Sequence, residues 1–287
     1  MEKQRKRYSR FLKPVAKVAF SAAALYYVAS KIDLQQIREI FVSLEFGWLI
    51  PAAIFFILSK VVSSTRLNAF FKSIGLVISE RYNLRLYAIG MYYNLFLPGG
   101  IGGDGYKVYL LNKQHEPIKL KRLISATLLD RIAGLYALVV LAGVLGLFLP
   151  EYFDYQRPIL SALILVSAPA YYIMVKLIFD GFLKVTAKTV LLSFVVQGFQ
   201  VICAYFILLA LQVKAQYVVY QFVFLISSIV AVFPFTIGGV GARELTFVLS
   251  HDYLGINQNV AVAFSLLFFL ITAAFSLCGA FLSEKKS

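Results

Sequence analysis

The sequence predicts an all-α polytopic membrane protein, with about six full transmembrane helices plus two broken, re-entrant segments in an inverted repeat. Of its 287 residues, 60 % are hydrophobic and only 15 % are charged, whereas soluble domains are roughly 45–50 % apolar and about 25 % charged. The apolar residues form uncharged runs, such as 132–149 and 159–175. Such runs are long enough to cross about 30 Å of hydrocarbon as helices. A Pro–Gly motif that occurs twice indicates the repeat.

Six apolar stretches predict the full spans, at about 14–31, 47–64, 123–149, 158–179, 188–211 and 259–282. Lys and Arg collect in the N-terminal segment and in the loops 66–85 and 107–122. Basic loops stay in the cytoplasm, so we expect a multi-pass cell-membrane protein with both termini cytoplasmic. The basic N-terminus also fits a cleavable signal peptide; an uncleaved first helix is our interpretation, and cleavage would leave the remaining topology unchanged.

The net charge of +14 raises the possibility of a nucleic-acid-binding protein. The cations lie between apolar runs and not on one soluble face, which is the pattern of loops beside an anionic membrane surface. Cys203 and Cys278 lie inside apolar runs without disulfide or metal-ligand spacing. The sequence has no zinc signature and no Walker loop. We therefore expect no nucleic-acid partner, no metal and no cofactor.

The segment 83–112 predicts a re-entrant hairpin. Both flanks are basic and therefore belong on one side of the membrane. Its first apolar arm, Leu86 to Leu97, has 12 residues, or about 18 Å of helix, which is too short to cross. The chain would turn at Pro98 to Gly103. Irregular backbone at membrane depth is tolerated only where protein buries it or a wet cavity meets it.

The motif Pro98 to Lys107 matches Pro234 to Arg243 in register at one Pro, one Ile, three Gly and a final cation. Counting spans gives the two copies opposite orientations. We therefore predict one transmembrane domain, 1–287, built from a first repeat (1–150) and an inverted second repeat (151–287), as in many transporters. The second broken segment, 217–250, has two possible courses, a hairpin or a full span, because Val218 to Phe235 is long enough to cross the membrane.

The two motifs are suited to an anionic ligand. Glycines let backbone N–H groups converge, and a helix that starts after them points its positive end at the turn. A cation in that first turn opposes the helix dipole, as expected if a lipid phosphate compensates it. The alternative is structural: glycines permit close helix packing and the cations snorkel to headgroups. The candidate headgroup-binding residues are Asn94, Gly102, Gly103, Lys107, Gly238, Gly239 and Arg243.

Five further charges are candidates for an intramembrane role. Asp130 and Arg131 lie about 10 Å inside the third span, where ionisable groups are costly and face the protein interior or a wet cavity. Adjacent residues on a helix do not face each other, so each should have its own partner. Arg66, Asp104 and Glu244 complete the set. Pairing with the cations, proton coupling and a purely structural ion pair all remain open.

These residues resemble those of the lysylphosphatidylglycerol synthase transmembrane-region family, which includes the flippase half of the bacterial multiple peptide resistance factor. The similarity is carried by 94–107, Leu129-Asp130-Arg131-Ile132 and 234–244. The family pattern would have Arg where Lys107 stands, so bidentate phosphate binding is not kept there. The resemblance implies movement of a phospholipid or lipid-linked substrate between leaflets. It does not imply synthesis, because the aminoacyl-transferase domain is a separate soluble unit for which no segment here is long enough.

Three functions follow as hypotheses. The first is a lipid flippase acting on an anionic or aminoacylated phospholipid, or on a lipid-linked precursor. The second is a secondary transporter of a small anionic solute, which the repeat alone allows equally well. The third, a membrane-embedded lipid-modifying enzyme, lacks a recognisable nucleophile–base or metal constellation. We therefore expect a transporter and not an enzyme, with membrane lipids as its partners.

Overall fold

The computed structural model describes residues 26–31, 33–96, 102–114, 118–149, 157–232 and 241–282, and no strand occurs among them. Residues 26–31 are helical. The helices that follow are α1 (Leu34–Val42), α2 (Leu49–Ser73), α3 (Glu80–Phe96), α4 (Gly102–Gln114), α5 (Leu120–Gly146), α6 (Arg157–Ile178), α7 (Leu183–Ala210), α8 (Tyr217–Val232), α9 (Ala242–Leu254) and α10 (Gln258–Cys278).

Within the described residues, five helical stretches are long and apolar enough to cross a membrane: Phe46–Ser73, Leu120–Gly146, Arg157–Ile178, Asp180–Ala210 and Gln258–Phe281. They correspond to five of the predicted spans and confirm the all-α polytopic class. The first predicted span, 14–31, lies outside the described residues except for its last turns. The second is longer than predicted, because α2 continues to Ser73 through the polar residues Arg66 and Asn68, whose side chains are bonded inside the bundle.

The bundle is built around α2 and α7, which pack along each other. Cys203 and Ala204 on α7 and Ala52 on α2 are fully buried, and small side chains of this kind let membrane helices approach closely. Large aromatic side chains fill the space beside them, with Phe56 of α2 against Phe268 of α10 at a ring-centroid distance of 6.0 Å. Apolar contacts therefore hold the central helices together.

The segment α3–α4 is a hairpin with antiparallel arms, as predicted, and we call it the first hairpin. At its open end the Tyr82 hydroxyl donates to Gln114 Oε1 at 2.6 Å. Near its closed end the rings of Tyr93 and Tyr106 lie 4.3 Å apart. Both ends of the segment therefore lie at the same end of the bundle. Residues 97–101, including Pro98, are outside the described part.

The segment α8–α9 is also a hairpin, called here the second hairpin. The Asn257 N–H, just after α9, donates to the Tyr220 hydroxyl near the start of α8, at 3.2 Å. At the other end of both arms, Arg243 lies beside Ser228. The chain thus returns to the end where it started, so the segment 217–250 is a hairpin and does not cross the bundle fully. Gly238 and Gly239 lie outside the described residues.

The two hairpins open at opposite ends of the bundle. Lys72 at the end of α2 pairs with Glu80 at the start of the first hairpin, with 2.7 Å between Nζ and Oε1. Near the start of α2, the Glu45 N–H donates to the carbonyl of Ala210, the last residue of α7, and the second hairpin begins shortly after it. The division into inverted halves 1–150 and 151–287 stays a prediction, and hairpins that enter from opposite ends are the geometry it expects.

Candidate functional site

A buried ion pair joins α2 to α5. Arg66 donates from Nε to Asp130 Oδ1 at 2.7 Å and from Nη2 to Oδ2 at 3.1 Å. Its Nη1 donates to Ser193 Oγ of α7 at 2.9 Å. Arg66 is 5 % exposed and Asp130 is 7 % exposed. Since both partners are satisfied in a bidentate geometry, this pair fixes three helices together.

A second buried cluster lies at the first hairpin. Lys107 Nζ is 2.7 Å from Asp104 Oδ1 and lies 4.8 Å from the centroid of the Tyr87 ring. Arg131 of α5 donates to the other oxygen of Asp104. Asp104 is in the first turn of α4, where a carboxylate favours the helix dipole. Lys107 is therefore neutralised within its own helix, and a headgroup role for it stays a prediction.

Asp130 and Arg131, although adjacent, have different partners, as the helix geometry predicted. Asp130 pairs with Arg66 and Arg131 pairs with Asp104. The structure thus brings four of the five intramembrane candidates into two separate ion-paired clusters. These contacts satisfy the charges and leave their part in coupling untested.

Asn94, a candidate headgroup-binding residue, forms a hydrogen bond within the first hairpin. Asn94 Oδ1 accepts from the Gly103 N–H at 2.8 Å, which caps the start of α4. Gly103 itself meets the backbone of Gly90, and a β-carbon at Gly103 would overlap the Gly90 carbonyl. Glycine is thus required there for the two arms to touch. This agrees with the alternative interpretation of the motif, in which its glycines permit close helix packing.

Glu244 closes the second hairpin. Its Oε2 accepts from the Gly241 N–H at 2.7 Å and its Oε1 accepts from Ser265 Oγ at 2.8 Å. Gly241 has a φ of 86°, in the left-handed region that favours glycine. Since both oxygens of this buried carboxylate are occupied, Glu244 holds α9 against α10. It forms no ion pair with Arg243 in the described structure.

Arg243 shares an aromatic surface with Lys60, a residue of α2. Arg243 Cζ lies 5.0 Å from the centroid of the Phe268 ring, and Lys60 Nζ lies 4.6 Å from that of Phe56. The two rings contact each other edge to face, and the charge of Arg243 acts on Lys60. We call Lys60 and Arg243 the central cations.

The central cations lack carboxylate partners among the residues that the structure describes. Within the described residues, Arg243 makes a polar side-chain contact with Ser228 Oγ at 3.4 Å. Lys60 lies near the middle of α2, about 16 Å from the start of the helix. Among the described residues these two cations therefore form no ion pair, unlike Arg66 and Lys107, although the buried carboxylate of Glu244 acts on Arg243 through space.

The sequence of the chain matches the family model described as the lysylphosphatidylglycerol synthase TM region, over residues 15–188 and again over 182–279. The chain belongs to this family. No curated protein matches it significantly. As a member of the lysylphosphatidylglycerol synthase TM family, it is a multi-pass membrane protein with a lipid-related function.

Sequence reasoning missed Lys60 in this member of the synthase TM family. Lys60 lies inside a predicted span, whereas the predicted site residues came from the Pro–Gly motifs and the charges near them. The available signal was a lone cation preceded by an uncharged run, Leu49 to Ser59. An unpaired charge in such a run is expensive in lipid and marks an interior or wet position.

Proposed function

We propose that this protein moves a lipid with an anionic headgroup between the two leaflets, with the central cations as the position where the headgroup phosphate rests. The observation that carries the proposal is that Lys60 and Arg243 stand over the contacting rings of Phe56 and Phe268 and form no ion pair with any described carboxylate, whereas Arg66 and Lys107 are each ion-paired. The substrate would be an anionic or aminoacylated phospholipid, or a lipid-linked precursor.

Electrostatics favours a phosphate at this position. Two like charges in a low-dielectric interior repel each other, and the cost of burying each one is high without a counter-ion. The faces of Phe56 and Phe268 compensate part of this cost through cation–π contacts. A phosphate would compensate much more of it, because it carries a full charge and Arg243 can donate two hydrogen bonds to it.

The hairpins supply a route for alternating access. They enter from opposite ends, and Arg243 stands at the inner end of the second hairpin, so rocking of one half against the other would expose the central cations to one side at a time. In this proposal the halves 1–150 and 151–287 are the moving units. The protein acts as a transporter without an enzymatic step, in the cell membrane, with both termini in the cytoplasm.

An apolar groove supports a lipid over a small soluble anion. A groove of about 220 Å³ runs between α5, α6 and α8, with Val139, Leu163 and Ile229 in its walls. Val139 is 48 % exposed and Leu163 is 60 % exposed, so the groove opens towards the lipid. Acyl chains could stay there while the headgroup reaches Arg243, which contacts α8 one residue before Ile229.

The test is the leaflet distribution of anionic lipids in a deletion strain complemented with variants. We expect the wild type to restore the distribution and the Lys60→Gln/Arg243→Gln variant to leave it as in the deletion strain, because the positive site is lost. Lys72→Gln is the matched control, since Lys72 is an exposed cation of the same helix, paired with Glu80, and it should behave as the wild type. Full restoration by the double variant, at equal membrane abundance, would contradict the proposal.

A further inference from the structure

A second basic site lies at one end of the bundle, apart from the central cations. A cleft of about 440 Å³ lies where α2 ends, α5 begins and the α6–α7 connection crosses. Its polar lining includes Ser73, Ser125 and three cations, Lys119, Lys121 and Arg122. Ser73 is about 20 Å from Lys60 along α2. We call this site the basic cleft.

The three cations of the basic cleft have exposed side chains. Lys119, Lys121 and Arg122 form no ion pair with any carboxylate that the structure describes. Asp180 is the carboxylate in the described lining of the cleft, and it pairs with none of them. At the same end Lys72 forms an ion pair with Glu80, so the cleft cations differ from a neighbouring cation in the part of the chain that the structure describes.

The start of α5 adds to the positive potential. Lys119 is the N-cap residue, its side chain makes no capping bond, and the first turn contains no acidic residue. Cations at this position oppose the helix dipole, and the first N–H groups of the helix point out of its end without intrahelical partners. An anion in the cleft would satisfy both the cations and these N–H groups.

The floor and outer rim of the basic cleft are apolar. Phe179 and Phe182 line it and are 7 % and 5 % exposed. Ile178 at its edge is 68 % exposed and ends α6, the helix along which Leu163, Leu165 and Leu177 are also exposed. A ligand with a phosphate and an apolar body fits this combination better than a free ion does.

We infer that the basic cleft binds the phosphate of an anionic phospholipid at the end of the bundle predicted to be cytoplasmic. Lys119, Lys121 and Arg122 hold the phosphate, and the acyl chains lie against the exposed apolar side chains of α6. This site goes beyond the proposed function, because it is separate from the central cations and its occupancy does not require transport.

The test is native mass spectrometry of the full chain in detergent, titrated with phosphatidylglycerol, with phosphatidylcholine of the same chains, and with inorganic phosphate. In the variant Lys119→Gln/Lys121→Gln/Arg122→Gln we expect one phosphatidylglycerol site to weaken by about tenfold or more, since the loss of even one charge-assisted bond to the phosphate corresponds to about that factor. The control Arg81→Gln/Arg85→Gln/Lys113→Gln removes three exposed charges near the same end, outside the cleft, and should change binding by less than about twofold.

Three outcomes decide the inference. Equal phosphatidylglycerol retention by the cleft variant and the wild type would overturn it. Inorganic phosphate retained as tightly as phosphatidylglycerol would overturn the lipid assignment in favour of a free anion. The Lys60→Gln/Arg243→Gln variant separates the two proposals: it should keep the site that the cleft variant loses, whatever its transport activity, and loss of that site would overturn the inference.

Discussion

Replacing Arg66 with alanine is expected to destabilise the folded protein by about 3–5 kcal/mol, because Asp130 would then be buried without a partner. Asp130 is 7 % exposed and accepts both of its short side-chain hydrogen bonds from Arg66. Ser193 would also lose the guanidinium that donates to it. The free energy of unfolding, measured in mixed micelles by denaturant titration, gives the size of the effect directly.

A double replacement separates the uncompensated charge from the loss of packing. Arg66→Met/Asp130→Leu removes both charges and keeps most of the volume, so it should be clearly more stable than Arg66→Ala, and a buried ion pair replaced by apolar residues is often close to neutral. A single variant within about 1 kcal/mol of the wild type, or a double variant as unstable as the single one, would show that the pair does not lock the bundle.

Replacing Gly103 with alanine is expected to separate the arms of the first hairpin. The added methyl would overlap the carbonyl of Gly90, and backbone on both sides of the contact leaves nothing flexible to move. The cost should be about 1–3 kcal/mol or more, and the Asn94 bond to the Gly103 N–H would be strained or lost with it. The melting temperature in detergent and the yield of monodisperse protein both measure this.

Gly105 supplies the matched control on the same helix. A β-carbon at Gly105 meets nothing within 4 Å, and alanine is favoured over glycine within a helix by roughly 1 kcal/mol. Gly105→Ala should therefore be neutral or slightly stabilising. If Gly103→Ala and Gly105→Ala have the same melting temperature, the close contact between the arms does not stabilise the first hairpin.

The spans and the hairpins could be predicted from the sequence because they depend on local composition. Uncharged runs give helices of membrane length, and the Pro–Gly motif with basic flanks on both sides gave the first hairpin. Spacing predicted the depth of Asp130 and Arg131, which stays a prediction, and helix geometry predicted different partners for them. The partner of Asp130 is Arg66, 64 positions away in sequence, and no local pattern selects it over the other cations.

The candidate site was harder to predict because the cations of the two motifs differ in their surroundings. Lys107 finds Asp104 three residues earlier, a spacing whose pairing the sequence alone allows. Arg243 has Glu244 beside it, but that carboxylate bonds to Gly241 and Ser265 instead. The proximity of Lys60 to Arg243 depends on how α2, α9 and α10 pack, which is information that only the fold contains.

The central claim, that Lys60 and Arg243 carry an anionic headgroup across the membrane, is tested most directly by lipid transfer in reconstituted vesicles. Phosphatidylglycerol and phosphatidylcholine with a fluorophore on one acyl chain are followed by quenching from the outside. The wild type should transfer the phosphatidylglycerol probe faster than the phosphatidylcholine probe, and Lys60→Gln/Arg243→Gln should slow the former by about tenfold or more, the factor that corresponds to about 1.4 kcal/mol. Equal transfer of phosphatidylglycerol by the wild type and the double variant would contradict the account.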